Sequence, residues 1–279
     1  MTTDSEPTYL FELPSYTRIG IIGLGRLGGS LRRALEAADI EVEVGELARD
    51  CPIVFLCVPD DVISTVAANM ADFIAPGTTI AHCSGALSSN ALAALEEEGC
   101  SVGSFHPLQT FPDPEVGATR FAGCTIFIEG DKVAVRYLHA VAHALGAHPQ
   151  PISAEGKTGY HAAAAMACNQ LCALLDAAFE VAGAAGVADP AVFLPLVRAT
   201  LDGIEQRGTH AALTGPVMRG DAATVAGHLA LLDESNPQAA AIYRVLSRRA
   251  LAMAGESGTM AEDARLAVSS VLGEKEELL

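Results

Sequence analysis

From Arg18 onward, short apolar runs alternate with apolar positions at helical spacing. Ile19–Ile22 is a compact apolar run, followed by Gly23-x-Gly25-x-x-Gly28-Gly29, and then Leu27, Leu31, Ala34 and Leu35 recur on one helical face. This predicts a strand, a glycine turn and a helix that ends near Asp39. Ile40–Val44 alternates as I-E-V-E-V, a second strand, and Ile53–Val58 is a third, apolar enough to be buried on both faces. It ends in Pro59-Asp60-Asp61, where either aspartate can cap a helix that runs to about Phe73. Thr78–His82 reads as a strand closed by Ser84-Gly85, Ser89–Glu98 as a helix, and Ser101–Phe105 as a short strand that ends in His106-Pro107. Phe121–Ile128 and Asp131–Leu145 complete the alternation as strand and helix. Such alternation argues an α/β domain with a mostly parallel sheet covered on both faces.

The stretch Gly146–Gly156 carries Pro149 and Pro151 and reads as a join. Beyond it the period is helical throughout: Lys157–Ala185, Pro190–Gly208, Asp221–Ser235, Pro237–Ala254 and Ala261–Leu272, with Pro195 expected to kink or shorten the second. The expected organisation is an α/β domain over 16–148 and an all-α domain over 149–275.

Strand, glycine turn and helix form the context in which G-x-G-x-x-G signals a dinucleotide. Gly23 allows the tight turn, Gly25 lets the backbone approach a pyrophosphate, and Gly28 lets the helix sit close to the strand. The N–H groups at the start of the helix complete a phosphate cradle over Gly23, Leu24, Gly25, Arg26, Leu27 and Gly28. The first domain is therefore expected to be Rossmann-like and to bind NADP or NAD. The segment that would read the adenosine ribose is compressed. Glu43 or Glu46 can accept from a ribose hydroxyl, Arg49 is its only base, and a strand is missing or reduced between Val44 and Ile53. NAD and NADP are not distinguished.

Composition narrows the partners. A net charge of -17, from 34 acidic and 17 basic residues, disfavours nucleic acid. No uninterrupted apolar run is long enough to suggest a membrane span. The first fifteen residues are polar and acidic, with Asp4 and Glu6, and do not resemble a signal peptide, so a cytoplasmic protein is expected. The seven cysteines are odd in number and suggest no disulfide framework. Neither Cys168 with Cys172 nor His139 with His143 has a third ligand nearby in sequence, and no metal is expected.

Chemistry-bearing residues gather at strand ends, where ligands of open α/β sheets collect. Val58, Pro59 and Asp60 follow the third strand, and Asp60 serves a cofactor or caps a helix. Ser84 and Gly85 form a turn fit to hold a carboxylate or a nicotinamide amide, or simply a turn. His106 can exchange a proton near neutral pH or lock its loop, with Gln109 and Thr110 beside it. Lys157, Tyr160 and His161 share one face at a helix start. A lysine there can polarise or protonate a carbonyl, or be solvated.

Taken together, the glycine fingerprint, F-L-C-V-P-D-D, the Ser84-Gly85 turn and above all His106-Pro107-Leu108-Gln109-Thr110-Phe111 resemble a Rossmann-like family. Its helical C-terminal domain is of unknown function. It is distantly similar to ketopantoate reductase, pyrroline-carboxylate reductase, and the hydroxyisobutyrate and 6-phosphogluconate dehydrogenases. The resemblance spans Arg18 to about Leu272. It implies a cofactor beside Pro59, a substrate at the Ser84 turn, and Lys157 as the match of the dehydrogenases' catalytic lysine. Their asparagine four residues later is His161 here, with Asn169 the next polar group on nearly the same face. It also implies a homodimer built on residues 157–272. The resulting expectation is an NAD(P)-dependent oxidoreductase of a small carbonyl/alcohol or imine/amine pair. Lys157, His106 and His161 would be catalytic, and Ser84, His106, Gln109, Tyr160 and Asn169 would hold the substrate. The alternative is a dinucleotide- or metabolite-binding sensor without turnover.

Overall fold

The computed structural model describes residues 11–273 except Ser15, Ser257 and Thr259, and the side chains of Glu46 and Leu47 are also outside what it describes. The acidic segment at Asp4 and Glu6 therefore lies outside the described residues, as does Glu46 as a ribose partner. The chain divides into two compact units, Met1–Ala167 and Cys168–Leu279.

The first unit is a seven-stranded sheet. Its strands are β1 (Arg18–Ile22), β2 (Glu41–Val44), β3 (Ile53–Leu56), β4 (Thr79–His82), β5 (Ser101–Pro107), β6 (Thr125–Gly130) and β7 (His148–Pro151). Their order is β2-β1-β3-β4-β5-β6-β7, parallel except for β5 against β6. Chain order reverses at β1, which lies between β2 and β3, so the carboxyl ends of β1 and β3 flank the switch point where such sheets bind ligands. The helices of this unit are α1 (Arg26–Ala37), α2 (Ile63–Ala71), α3 (Ala93–Glu97), α4 (Pro114–Ala118), α5 (Lys132–Ala144) and α6 (Lys157–Ala165). A short 3-10 turn, Gly45–Asp50, occupies the stretch between β2 and β3 that was expected to lack a strand.

Both faces of the sheet are buried. Ile19, Ile21, Phe55, Phe105, Ile126 and Ile128 pack with Leu31 and Leu35 of α1 and Leu138 and Val141 of α5. Val54, Leu56, Ile80 and Val102 pack with Ile63, Ala67 and Met70 of α2 and Leu95 of α3. The period-two alternation of the strands puts these two sets on opposite faces.

The structure departs from the sequence reading at three places in this unit. The proline-bearing stretch read as a join contains β7, in parallel register with β6, and the compact unit runs past the expected boundary at 148 to Ala167. A short helix at Pro114–Ala118, capped by Asp113, was not anticipated. Neither Asp60 nor Asp61 caps α2 through its side chain.

The second unit is helical: α7 (Leu171–Ala184), α8 (Leu194–Ala212), α9 (Ala222–Ser235), α10 (Pro237–Glu256) and α11 (Glu262–Val271). Asp221 caps α9 through the Thr224 N–H. Pro195 sits in the first turn of α8, where its missing N–H costs nothing, and the bend lies instead at Gly208, with φ 77°. A π-turn at Met166–Gln170 joins α6 to α7. The stretch Lys157–Ala184 is long and apolar enough to cross a membrane by length and composition alone, with mean hydropathy 1.4 over its window. The sequence reading missed this because Lys157, His161 and Asn169 interrupt the run.

Candidate functional site

The glycines after β1 are required by different things. Gly23 has φ +94°, and a Cβ there would lie 2.5 Å from the Cys57 carbonyl oxygen. A Cβ on Gly28 would lie 1.9 Å from the Gly23 carbonyl oxygen. Gly25 has φ -64°, and no atom lies within 4 Å of where its Cβ would stand. The chain itself therefore needs glycine at 23 and 28 but not at 25. Leu24, Gly25 and Arg26 are exposed, Leu27 is half-buried, and no side chain caps the first turn of α1. Free N–H groups thus face open space at the switch point.

Across from this turn, β3 is followed by Cys57 and Val58, both half-buried, with Pro59 and Asp60 exposed. Asp60 reaches the end of β4: Ser84 Oγ donates to its Oδ2 at 2.6 Å. The same hydroxyl oxygen accepts from the Ala86 and Leu87 N–H groups at 3.2 and 3.0 Å. The Ser84 N–H donates to His82 Nδ1 at 3.2 Å, so that nitrogen carries a lone pair. His82 Nε2 must then bear the proton and donates to the Ser88 carbonyl at 2.9 Å. His82 is a buried neutral imidazole, its pKa lowered by burial. The Ser84 turn is fixed from both sides.

Helix α6 lies against the carboxyl-terminal half of β5 and against Phe127 of β6. Lys157 is 1% exposed. Its Nζ donates to the Ser84 carbonyl at 3.0 Å and to Ser104 Oγ at 2.7 Å. Burial lowers its pKa to about 8, opposed by Glu129, Cys83 and Asp60. One turn on, Tyr160 OH and His106 Nδ1 are 2.8 Å apart, and Tyr160 also packs on Phe127 with ring centroids 4.4 Å apart. Burial pushes the Tyr160 hydroxyl up to about 12. His161 stands edge-on to His106, with ring centroids 5.6 Å apart. A Cβ on Gly85 would meet His161 Nδ1 at 2.4 Å and His106 Nε2 at 2.8 Å, so both imidazoles converge on the bare backbone of this glycine. His161 Nδ1 is buried without a hydrogen-bond partner among the described residues. Burial first, then the charges of Lys157 and His161, lower the His106 pKa to about 4, so His106 is neutral at pH 7. The cluster can offer a hydrogen bond from the neutral His106 imidazole beside a sealed positive charge.

Ser84, Gly85, His106, Lys157, Tyr160 and His161 thus come together within the first unit. Of the expected residues in that unit, Gln109 does not join them. Gln109 is exposed and its Oε1 accepts from the N–H of Thr110 at 2.8 Å, while Asn169 is exposed on the π-turn, in the second unit. At the ribose end, Glu43 faces Arg18 at 3.8 Å and Arg49 lies over the Phe73 ring at 5.7 Å. Sequence reading missed Ser104, Glu129 and Ser89. Glu129 Oε1 accepts from Ser89 Oγ at 2.6 Å, and its Oε2 accepts from the Ser89 N–H at 2.8 Å and from Ser104 Oγ at 3.4 Å. The available signal was a polar residue at an inward position of each of two adjacent strands, Ser104 opposite Glu129. Cys57 and Cys83 Sγ atoms lie 3.7 Å apart beneath the two turns. Among the described residues no cluster of three or more His, Cys, Asp or Glu could hold a metal.

Residues 38–107 match a Rossmann-like domain, and residues 124–250 match a domain of unknown function, DUF2520. The chain combines a Rossmann-like N-terminal domain with a distinct, largely helical C-terminal domain. Among solved structures, a Bacteroides fragilis protein is similar with TM-score 0.71 at 22% identity, over 85% of this chain and 98% of its own. A Thermotoga maritima protein gives 0.70 at 22%, over 86% and 99%. A Plasmodium falciparum pyrroline carboxylate reductase with NADP bound gives 0.56 at 13%, over 86% and 99%. At these identities the likeness establishes the shared fold. No curated protein matches the sequence.

Proposed function

We propose that this protein is an NAD(P)-dependent oxidoreductase that moves hydride between the nicotinamide and a small carbonyl or imine, or the matching alcohol or amine. The observation that carries the reading is Gly25, a glycine demanded by neither backbone angle nor neighbour, between two glycines that are so demanded. Its bare backbone and the uncapped first turn of α1 suit a pyrophosphate. Val58, Pro59 and Asp60 would border the cofactor, with the nicotinamide over the ends of β3 and β4 near Ser84 and Gly85. The pyrroline carboxylate reductase that shares the fold and binds NADP supports this class of chemistry. When bound, the dinucleotide supplies or accepts the hydride.

The roles of the side chains follow their burial. Lys157 is too well sealed to meet a substrate directly. In this proposal it acts through the turn it holds, placing positive charge behind the atom that gains electrons. His106 and His161, both half-buried, are left to touch the substrate, and Tyr160 orients His106. Titrating the purified protein with NADH, NADPH, NAD and NADP is expected to show saturable binding of at least one. Absence of binding of all four at about 1 mM, a weak affinity by any standard, would remove the proposal. A sensor without turnover is the second reading, favoured by the burial of Lys157, which is 1% exposed and so out of a substrate's direct reach. It would be chosen by dinucleotide binding without hydride transfer across a broad set of carbonyls and imines.

We further propose a two-fold homodimer built on residues 157–272. None of the apolar window in Lys157–Ala184 is buried within one chain, and Met166, Val192, Leu196 and Leu201 are exposed. Apolar helix faces of this extent need a cover, and symmetric pairing is the commonest. Sedimentation at micromolar concentration is expected to return twice the 28.8 kDa of one chain; a single species near one chain's mass would exclude the dimer.

A further inference from the structure

One row of side chains crosses the sheet beneath the site. His82 on β4 is in register with Ser104 on β5, and Ser104 with Glu129 on β6. Ser104 is fully buried, while Glu129 is only half-buried. The hydroxyl of Ser104 accepts from the Lys157 ammonium and is left to donate to Glu129. Ser89 holds both oxygens of that carboxylate in place. A carboxylate clamped this firmly at the far end of a one-hydroxyl bridge does more than fill space.

We propose that Glu129, acting through Ser104, is the positioning residue that keeps Lys157 charged and fixed beneath the Ser84–Gly85 turn. The functional side of this inference rests on the oxidoreductase reading above; the electrostatic side does not. An ammonium removed from water favours its neutral form unless a counter-charge is near. The two hydrogen-bond legs, 2.7 and 3.4 Å, place Nζ no farther than about 6 Å from the carboxylate, where opposite charges interact strongly even at an effective dielectric constant near 20. The other titratable groups near Lys157 are Asp60 after β3, His82 on β4 and Cys83 just after it, His106 on β5 and His161 on its own helix. The two nearby strand histidines are neutral, the Cys83 thiol is held protonated, and Asp60 is exposed. Glu129 is thus the principal counter-charge and does most to hold the lysine's pKa up.

The test is the titration of Lys157 Nζ followed by nitrogen-15 NMR in the full chain. Glu129→Gln keeps the shape and removes the charge, and is expected to move the Lys157 titration down by about one pH unit or more. Ser104→Ala should shift it in the same direction. The two changes together should shift it by less than the sum of the separate shifts, because the second acts on a bridge already cut. If turnover is found, its alkaline limb should move to lower pH in step, since charge on Lys157 is lost as pH rises through its pKa. A Lys157 titration that stays within about 0.3 units in a folded Glu129→Gln protein, against the shift expected from a near counter-charge, would overturn the proposal. Strictly additive shifts would overturn the role of Ser104. A melting curve for each variant separates a misfolded chain from a real null, and Glu129→Asp, which keeps the charge, should leave Lys157 titrating nearer the parent value. Dinucleotide titration of the same samples keeps the two questions apart. A parent protein that binds no dinucleotide, with a lysine that shifts in Glu129→Gln, refutes the oxidoreductase reading alone, and a parent that binds, with an unshifted lysine, refutes this one alone.

Discussion

Gly25→Ala is expected to leave folding stability within about 0.5 kcal/mol of the parent while weakening dinucleotide binding at least about tenfold. The neighbouring Gly28→Ala is expected to cost about 3 kcal/mol of stability, at the upper end for overpacking. The difference lies in what each methyl group meets. At position 28 it would be driven into the Gly23 carbonyl oxygen, a backbone atom at 1.9 Å that cannot rotate away, with Cys57 Cβ at 2.9 Å behind it. At position 25 it meets nothing, and φ -64° suits alanine. Only a ligand brought close to the backbone would notice it. Denaturant unfolding and cofactor titration on the two variants read the two effects separately. Parent-like affinity in Gly25→Ala would mean that no pyrophosphate lies on this turn.

Gly85→Ala is expected to disarrange the imidazole cluster and lower any turnover at least about a hundredfold, with a stability loss of only about 1–2 kcal/mol. The new methyl would stand 2.4 Å from His161 Nδ1 and 2.8 Å from His106 Nε2. Both are ends of side chains and can swing away, so the fold survives. His106 cannot swing, however, without lengthening its 2.8 Å bond to Tyr160. The measurement is the proton-nitrogen correlation of the two histidine rings beside a turnover assay. Unchanged ring resonances and unchanged turnover together would show that the convergence on Gly85 has no role.

Much of this was legible in the chain. Short apolar runs between turns revealed the strands, and the glycine spacing announced the turn over β1, because both signals are local. What escaped depended on pairing across distance. Asp60 looked like a helix cap because aspartate before a helix usually is one; its carboxylate instead takes the Ser84 hydroxyl, 24 residues away. Glu129 looked like one more acid in an acidic chain until β6 turned antiparallel and set it opposite Ser104. That Lys157, Tyr160 and His161 share one helix face was visible from their spacing, but the sealing of Lys157 was not, since burial of a lysine depends on partners that sequence does not display. Gln109 misled by proximity. It lies three residues from His106, yet the chain has by then left β5 and turned outward.

Strand β7 was misread for a reason that has its own consequence. The N–H groups of His148 and, just past the strand's end, of Ile152 point inward and donate to the Cys124 and Ile128 carbonyls. With a period of two, the outward-facing nitrogens at this edge belong to Pro149 and Pro151, and neither carries a hydrogen. The opposite edge, β2, presents Glu41 and Glu43. One border of the sheet is thus short of donors and the other is guarded by like charges, two devices that stop a foreign strand from adding on. Among the described residues, extension of the sheet from molecule to molecule, the common route to fibres and to strand-exchanged aggregates, is opposed at both borders.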